Sequence, residues 1–310
     1  MFSELVSIIF SQEFLSSSLR LATPLLIATM GSIFSERSGV LFLGLEGFLL
    51  IGAFFGFVGG MIYGPWMGIL FAIGVNLVIG LIYAFITVTL AVNQVVVCVS
   101  INILGLGLTG AMLRTIFGTT TSQLQSPRFL PVEIPVLSQL PIVGVVFNQT
   151  LLTYIGIIMV PIVFIIFFKT NWGLKIRAVG EHPRAAESMG VNVSRIRYIS
   201  ILWAATFVAI GGAATTIGDI GYFTENITAG RGFIAFAAVI LGRFHPIGTL
   251  LTVFFFGMVD AFQLNLQASG VAIPYQFPLM LPYLLTLIAF LIAGSGVAPK
   301  AWGVPYIAEE

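Results

Sequence analysis

Charge is what this chain has least of. Asp, Glu, Lys and Arg make up only 8% of its 310 residues, against about 25% in soluble domains. So few charges cannot coat a water-facing surface, and lipid must solvate most of the area. Cysteine is nearly absent as well. Cys98 is the sole one and lies in an apolar run, which excludes an intrachain disulfide and a cysteine-based metal site. The two histidines, His182 and His245, are far apart and each adjoins a proline, so no metal cluster is expected. The net charge of +1 gives no basis for nucleic-acid binding. No glycine-rich phosphate loop with a following lysine, no HExxH and no paired-acid motif occurs. Any ATP hydrolysis therefore belongs to a separate chain, and none of these residues is expected to bind a cofactor.

What is present is hydrocarbon: 58% of the residues are apolar and the mean hydropathy is +1.07. A spanning helix needs about 20 largely apolar residues. That rule places spans near 17–34, 40–58, 65–90, 93–113, 149–168, 198–218, 246–264 and 277–297. The stretch 232–243 is too short to cross alone and reads as a half-helix or re-entrant element. The expectation is an all-α polytopic membrane protein with about nine membrane elements, eight to ten, in one domain covering 1–310. The first residues, MFSELVSIIFSQEF, lack a basic lead and carry Glu4 and Glu13, so they read as an interfacial helix, not a signal peptide. Gly47-Phe48…Gly56 faintly resembles Gly232-Phe233…Gly242, a hint of internal repetition.

The basic residues set a topology. Alternating the spans puts Arg37, Lys169, Lys175, Arg177, Arg184, Arg195, Arg197, Arg243 and Lys300 on one side. Arg20, Arg114, Arg128 and Arg231 fall on the other. The first side is the cytoplasm by this count, with the N-terminus outside and the C-terminus inside. The segment 114–148, with Pro127, Pro131, Pro135 and Pro141, becomes an irregular extracytoplasmic loop.

Six of the thirteen basic residues fall between Lys169 and Arg197, a polar island between two spans. Within it, residues 182–190 (HPRAAESMG) read as a short helix with both ends marked. Pro183 suits the first helical position and Gly190 the left-handed residue beyond the end. Such a helix on a basic loop is built to touch another protein.

A few polar residues interrupt the apolar runs. Glu46 lies between Gly44 and Gly47, where a carboxylate needs a partner, a proton or a watery cavity. It belongs either to a solute path or to a structural bond at helix ends. Asn93, Gln94 and Asn102 could line a path for a neutral polar solute, and equally could glue helices together. Glu36 and Arg37 read as boundary charges, and Asp260 as an interfacial residue at a span end.

SERSGVLFLGLEGFLLIGAF at 35–54, NQVVVCVSINILGLGLT at 93–109, GLKIRAVGEHPRAAESMGVNVSRIR at 173–197 and GRGFIAFAAVILGRFHPIG at 230–248 resemble one family along nearly the whole chain. It is that of permease subunits of bacterial ABC importers for simple sugars and nucleosides, related to branched-chain amino-acid permeases. The resemblance implies a cytoplasmic coupling helix at Glu181, Pro183, Arg184, Ala185, Ala186, Glu187 and Gly190, inserting into a groove of an ATP-binding subunit. Ala185-Ala186…Gly190 matches the importers' loop pattern, while Arg184 replaces the usual glutamate and the Ile-x-Leu-Pro ending is missing. It also implies a second, non-identical permease subunit and an extracytoplasmic substrate-binding lipoprotein in a bacterial cell membrane. Two readings compete with it. Ion-coupled transport would rest on Glu46, and a lipid-modifying membrane enzyme would need clustered acids or histidines that the sequence lacks.

Overall fold

The computed structural model describes residues 12–118, 125–133, 143–268, 280, 283–288, 291 and 298–307. Among them, seven helices are long and apolar enough to cross a membrane. They are α1 (Gln12–Arg37), α2 (Leu45–Tyr63), α3 (Pro65–Ala84, continued by a π-turn at Phe85–Thr89), α4 (Gln94–Phe117), α5 (Leu151–Lys169), α8 (Val193–Thr215, continued by a π-turn at Thr216–Ile220) and α10 (Pro246–Ala268). Between them lie α6 (Asn171–Glu181), α7 (Pro183–Ser188) and the half-helix α9 (Arg231–Leu241), with two short antiparallel strands, β1 (Pro131–Glu133) and β2 (Asn148–Thr150). The architecture is the expected all-α membrane bundle, and 232–243 is the short element that its length requires. The last expected span, 277–297, and the N-terminal interfacial stretch lie largely outside the described residues.

Helices α1, α2 and α8 form the centre, with 83%, 78% and 72% of their most apolar stretches buried, against 33–39% for α3, α4, α5 and α10. The outer four therefore present the lipid-facing or subunit-facing surface. The centre is tight because glycines replace side chains at the crossings. A Cβ on Gly212 would lie 2.2 Å from the Leu49 carbonyl oxygen, and one on Gly52 would lie 2.8 Å from that of Ala209. Small residues allow α2 and α8 this approach, which dispersion and backbone contacts hold in a solvent as apolar as the side chains.

Contacts sort the charges into two ends. At one, Arg37 Nε donates to the Phe244 carbonyl at 2.8 Å, and the carbonyls of Gly39 and Gly180 accept from the backbone of Gly303 and Ala301. The nine basic residues grouped by topology counting lie at this end. At the other, Arg20 pairs with Asp219 at 3.2 Å and Arg114 with Glu225 at 2.7 Å. The described part of 114–148 is pinned there, with Ser126 N–H on the Gly221 carbonyl and Phe129 N–H on that of Ile217.

Three positions differ from expectation. Arg231, counted with the outer charges, starts α9, about 16 Å of helix from the corner at 242–245, and is turned into the bundle. Asp260 is not at a span end, since α10 runs on to Ala268, and it faces Arg231 at 3.8 Å. Glu36, next to Arg37 at the first end, is fully buried within the protein and not a solvated boundary charge. In each case the partner comes from a distant segment, which local hydropathy does not register.

Candidate coupling face and membrane path

The expected span 40–58 begins late, at Leu45, because residues 38–44 form an irregular buried segment. Backbone of this kind survives at membrane depth only when its polar groups are satisfied within the protein. The side chains flagged in the sequence do that. Gln94 Oε1 accepts from Leu41 N–H at 2.8 Å, and Glu36 Oε1 from Phe42 N–H at 2.8 Å. Asn102 donates to the Leu43 carbonyl at 3.2 Å and accepts from Gly47 N–H at 2.8 Å. Tyr83, which sequence reasoning missed, donates its hydroxyl to the Leu41 carbonyl. Asn93 stands apart from this group. It caps α4, accepting from Val95 N–H at 2.9 Å.

Glu46 sits in the first turn of α2 and is buried against the start of α9. Its Oε1 accepts from the Thr228 hydroxyl at 2.6 Å and from Gly230 N–H at 2.9 Å, and its Oε2 from Gly232 N–H at 2.6 Å. A carboxylate at a helix N-terminus is stabilised by free N–H groups and by the helix dipole. Gly232 is small for a reason: a Cβ there would lie 2.5 Å from the Glu46 backbone. Beside this junction, Arg231, Asp260, Gln263 and Tyr283 help line a cavity of about 240 Å³.

The polar island folds into two helices where the sequence marked only the second. α6 turns back directly after α5, its Thr170 cap accepting from Gly173 N–H at 3.2 Å. It buries Gly173, Ile176, Val179 and Gly180, a helical stripe, and leaves Leu174 exposed. α7 follows with Pro183 in its first turn. It ends as the glycine predicts: Gly190 has φ +80°, its N–H reaches the Glu187 carbonyl at 2.8 Å, and Val191 N–H reaches that of Ala186 at 3.0 Å. The two alanines divide their tasks. Ala186 is buried against the bundle, while Arg184, Ala185, Glu187, Met189 and Gly190 face outward. Glu181 and Pro183 are half-buried. An open apolar cleft of about 520 Å³ runs between α6 and α7, lined by Leu174, Ala178, Ala185, Ala186, Met189 and Val191.

A further segment, unmarked by hydropathy or motif, braces this face. Residues 298–307 lie across the ends of α1, α6 and α9. Tyr306 donates its hydroxyl to Glu187, and the Trp302 indole N–H donates to Glu36. Partial burial, then the neighbouring Glu187 carboxylate, push the Tyr306 phenol up to about 12, so it stays a neutral donor. Arg197, fully buried, donates to the Val304 carbonyl at 3.4 Å and stacks its guanidinium 5.6 Å from the Tyr306 ring centre.

The model of the permease component of the branched-chain amino acid transport system matches residues 14–293. The chain belongs to that family. The permease is 38% identical over 299 residues to the guanosine ABC transporter permease protein NupQ of Bacillus subtilis, covering 92% of this chain and 93% of the relative. It is 33% identical over 308 residues to the nucleoside ABC transporter permease protein NupC of Lactococcus lactis, covering 96% and 97%. TsgC13 of Haloferax volcanii, provisionally named a glucose ABC transporter permease protein, is 34% identical over 276 residues, covering 87% and 82%. No solved structure matches the chain. The permease is a membrane transport subunit and not an enzyme. Among the described residues no group of acids, histidines or cysteines could hold a metal ion.

Proposed function

We propose that this permease forms the translocation path of an ATP-driven importer of nucleosides, as one domain spanning 1–310. The observation that carries the substrate class is the likeness to guanosine and nucleoside permeases over more than nine-tenths of the chain. Its partners in this reading are a separate ATP-binding subunit, a second and different permease subunit, and an extracytoplasmic binding lipoprotein. The end bearing α7 faces the cytoplasm, the N-terminus lies outside and the C-terminus inside, in keeping with nine basic residues at that end. Residues Glu181, Pro183, Arg184, Ala185, Ala186, Glu187 and Gly190 form the coupling face. Ala185 and Met189 meet the motor, while Ala186 and Gly190 fix the shape that does so.

Glu46, Gln94 and Asn102 act on the path by holding its irregular backbone in place, and Asn93 by starting α4. A neutral solute suits such a path, since the charges Glu46, Arg231 and Asp260 already have partners. The same bonds weigh against ion-coupled transport, which needs a carboxylate free to exchange a cation.

Uptake of radiolabelled guanosine tests the proposal. Cells carrying the permease with its ATP-binding subunit should accumulate guanosine, and deletion of that subunit should stop it. Unlabelled nucleosides should compete, and ribose and glucose should not. Uptake that survives the deletion and collapses with an uncoupler would refute the reading.

A further inference from the structure

We propose that the segment 298–307 is the transmission strap of the permease, carrying movement of α7 to the half-helix α9. This rests on the reading of α7 as the helix that meets the ATP-binding subunit. The strap grips α7 at one point and the membrane part at several. Its Tyr306 hydroxyl holds Glu187, on the outward side of α7. Four residues earlier, Trp302 holds Glu36 at the end of α1 and packs against Phe236 of α9 at 6.1 Å and Phe244 of the following corner at 5.5 Å. Two backbone bonds anchor the strap on either side of Trp302, Ala301 N–H to the Gly180 carbonyl at 2.9 Å and Gly303 N–H to that of Gly39 at 3.1 Å.

Helix α9 is built to receive such a movement. Non-glycine residues in the left-handed region flank it on both sides, Asn226 and Ala229 before it and Arg243 and Phe244 after it. Strained residues of this kind persist where surrounding contacts hold them, and they concentrate at segments that switch. Arg37 provides that hold at the inner corner, bonding the carbonyls of Arg243 and Phe244. The other end of α9 is tied to Glu46, about 16 Å deeper. A pull on Trp302 therefore reaches the Glu46 junction through one short rigid helix. Tyr306 and Trp302 are positioning residues in this scheme: neither needs to touch the solute or the nucleotide.

The test uses the whole importer, purified and reconstituted with its ATP-binding subunit and binding lipoprotein, with guanosine as the probe. Tyr306→Phe removes only the hydroxyl, and Trp302→Phe removes only the indole N–H while keeping a ring. Each should co-purify the ATP-binding subunit as the wild type does and keep its basal ATPase rate and guanosine KM. Guanosine-stimulated ATPase and uptake should fall at least about fivefold, the low end of usual coupling free energies. Wild-type stimulation in both variants would overturn the strap, and so would loss of the ATP-binding subunit, which would make the segment a docking surface. A wild-type chain that captures no ATP-binding subunit would remove the coupling reading beneath it too.

Discussion

Gly190→Val is expected to cut ATP-driven uptake about tenfold or more while the protein still inserts and folds. Gly190 has φ +80° and nothing within 4 Å of where a Cβ would stand, so crowding is not the issue. A β-branched residue in the left-handed region costs about 1–2 kcal/mol, which the turn can shed by changing shape. Changing shape releases the bonds from Gly190 to Glu187 and from Val191 to Ala186, and these define the end of α7. If docking needs the original shape, about 1.4 kcal/mol of strain weakens it tenfold. Ala185→Glu attacks the same contact from outside, since Ala185 is exposed, and should match the valine variant. Ala186→Glu is expected to abolish uptake too but is less clean, because Ala186 is buried and a carboxylate there also disturbs packing. Membrane yield and size-exclusion profile report folding, and guanosine uptake reports function. Normal transport in Gly190→Val and Ala185→Glu would sink the assignment of α7.

Glu46→Ala is expected to be strongly destabilising. It orphans the Thr228 hydroxyl and the N–H groups of Gly230 and Gly232. Each unsatisfied buried donor costs about 1–3 kcal/mol. The sum, on the order of 5 kcal/mol, rivals the whole stability of an ordinary domain. Little purified protein should be recovered, with a thermal midpoint well below wild type. Glu46→Gln should be milder, because an amide can still accept at one position, though its NH₂ group then meets a donor at the other. The pair also separates two roles for this carboxylate. A structural clamp predicts that stability and uptake fall together. A Gln variant of wild-type stability with no uptake would instead mark Glu46 as a solute- or ion-handling group.

How much of this was legible in the sequence depended on whether the cause was local. Long apolar runs located the described spans, and the deficit in length at 232–243 marked α9. Pro183 and Gly190 marked α7 because both act through their own backbone. The span at 40–58 was placed early, since hydropathy cannot tell an extended buried apolar segment from a helix. Gln94, Asn102 and Glu46 stood out as anomalies in hydrocarbon, and each proved to be bonded to irregular backbone elsewhere in the chain. The partner could not be named because it lay up to 186 residues away, as with Glu46 and Gly232. Glu36 was misread for the same reason, its Trp302 partner being 266 residues distant. The strap itself has neither hydropathy nor a motif to announce it.

Site-directed cross-linking tests the docking face most directly. The native Cys98 is buried, so a cysteine introduced at the surface reacts against a low background. Ala185→Cys, in membranes that contain the whole importer, should form a heterobifunctional cross-link to the ATP-binding subunit, and Ala186→Cys should form far less. Tyr222→Cys, exposed at the opposite end of the bundle, should form none. A cross-link from position 222, or none from position 185, would contradict the account.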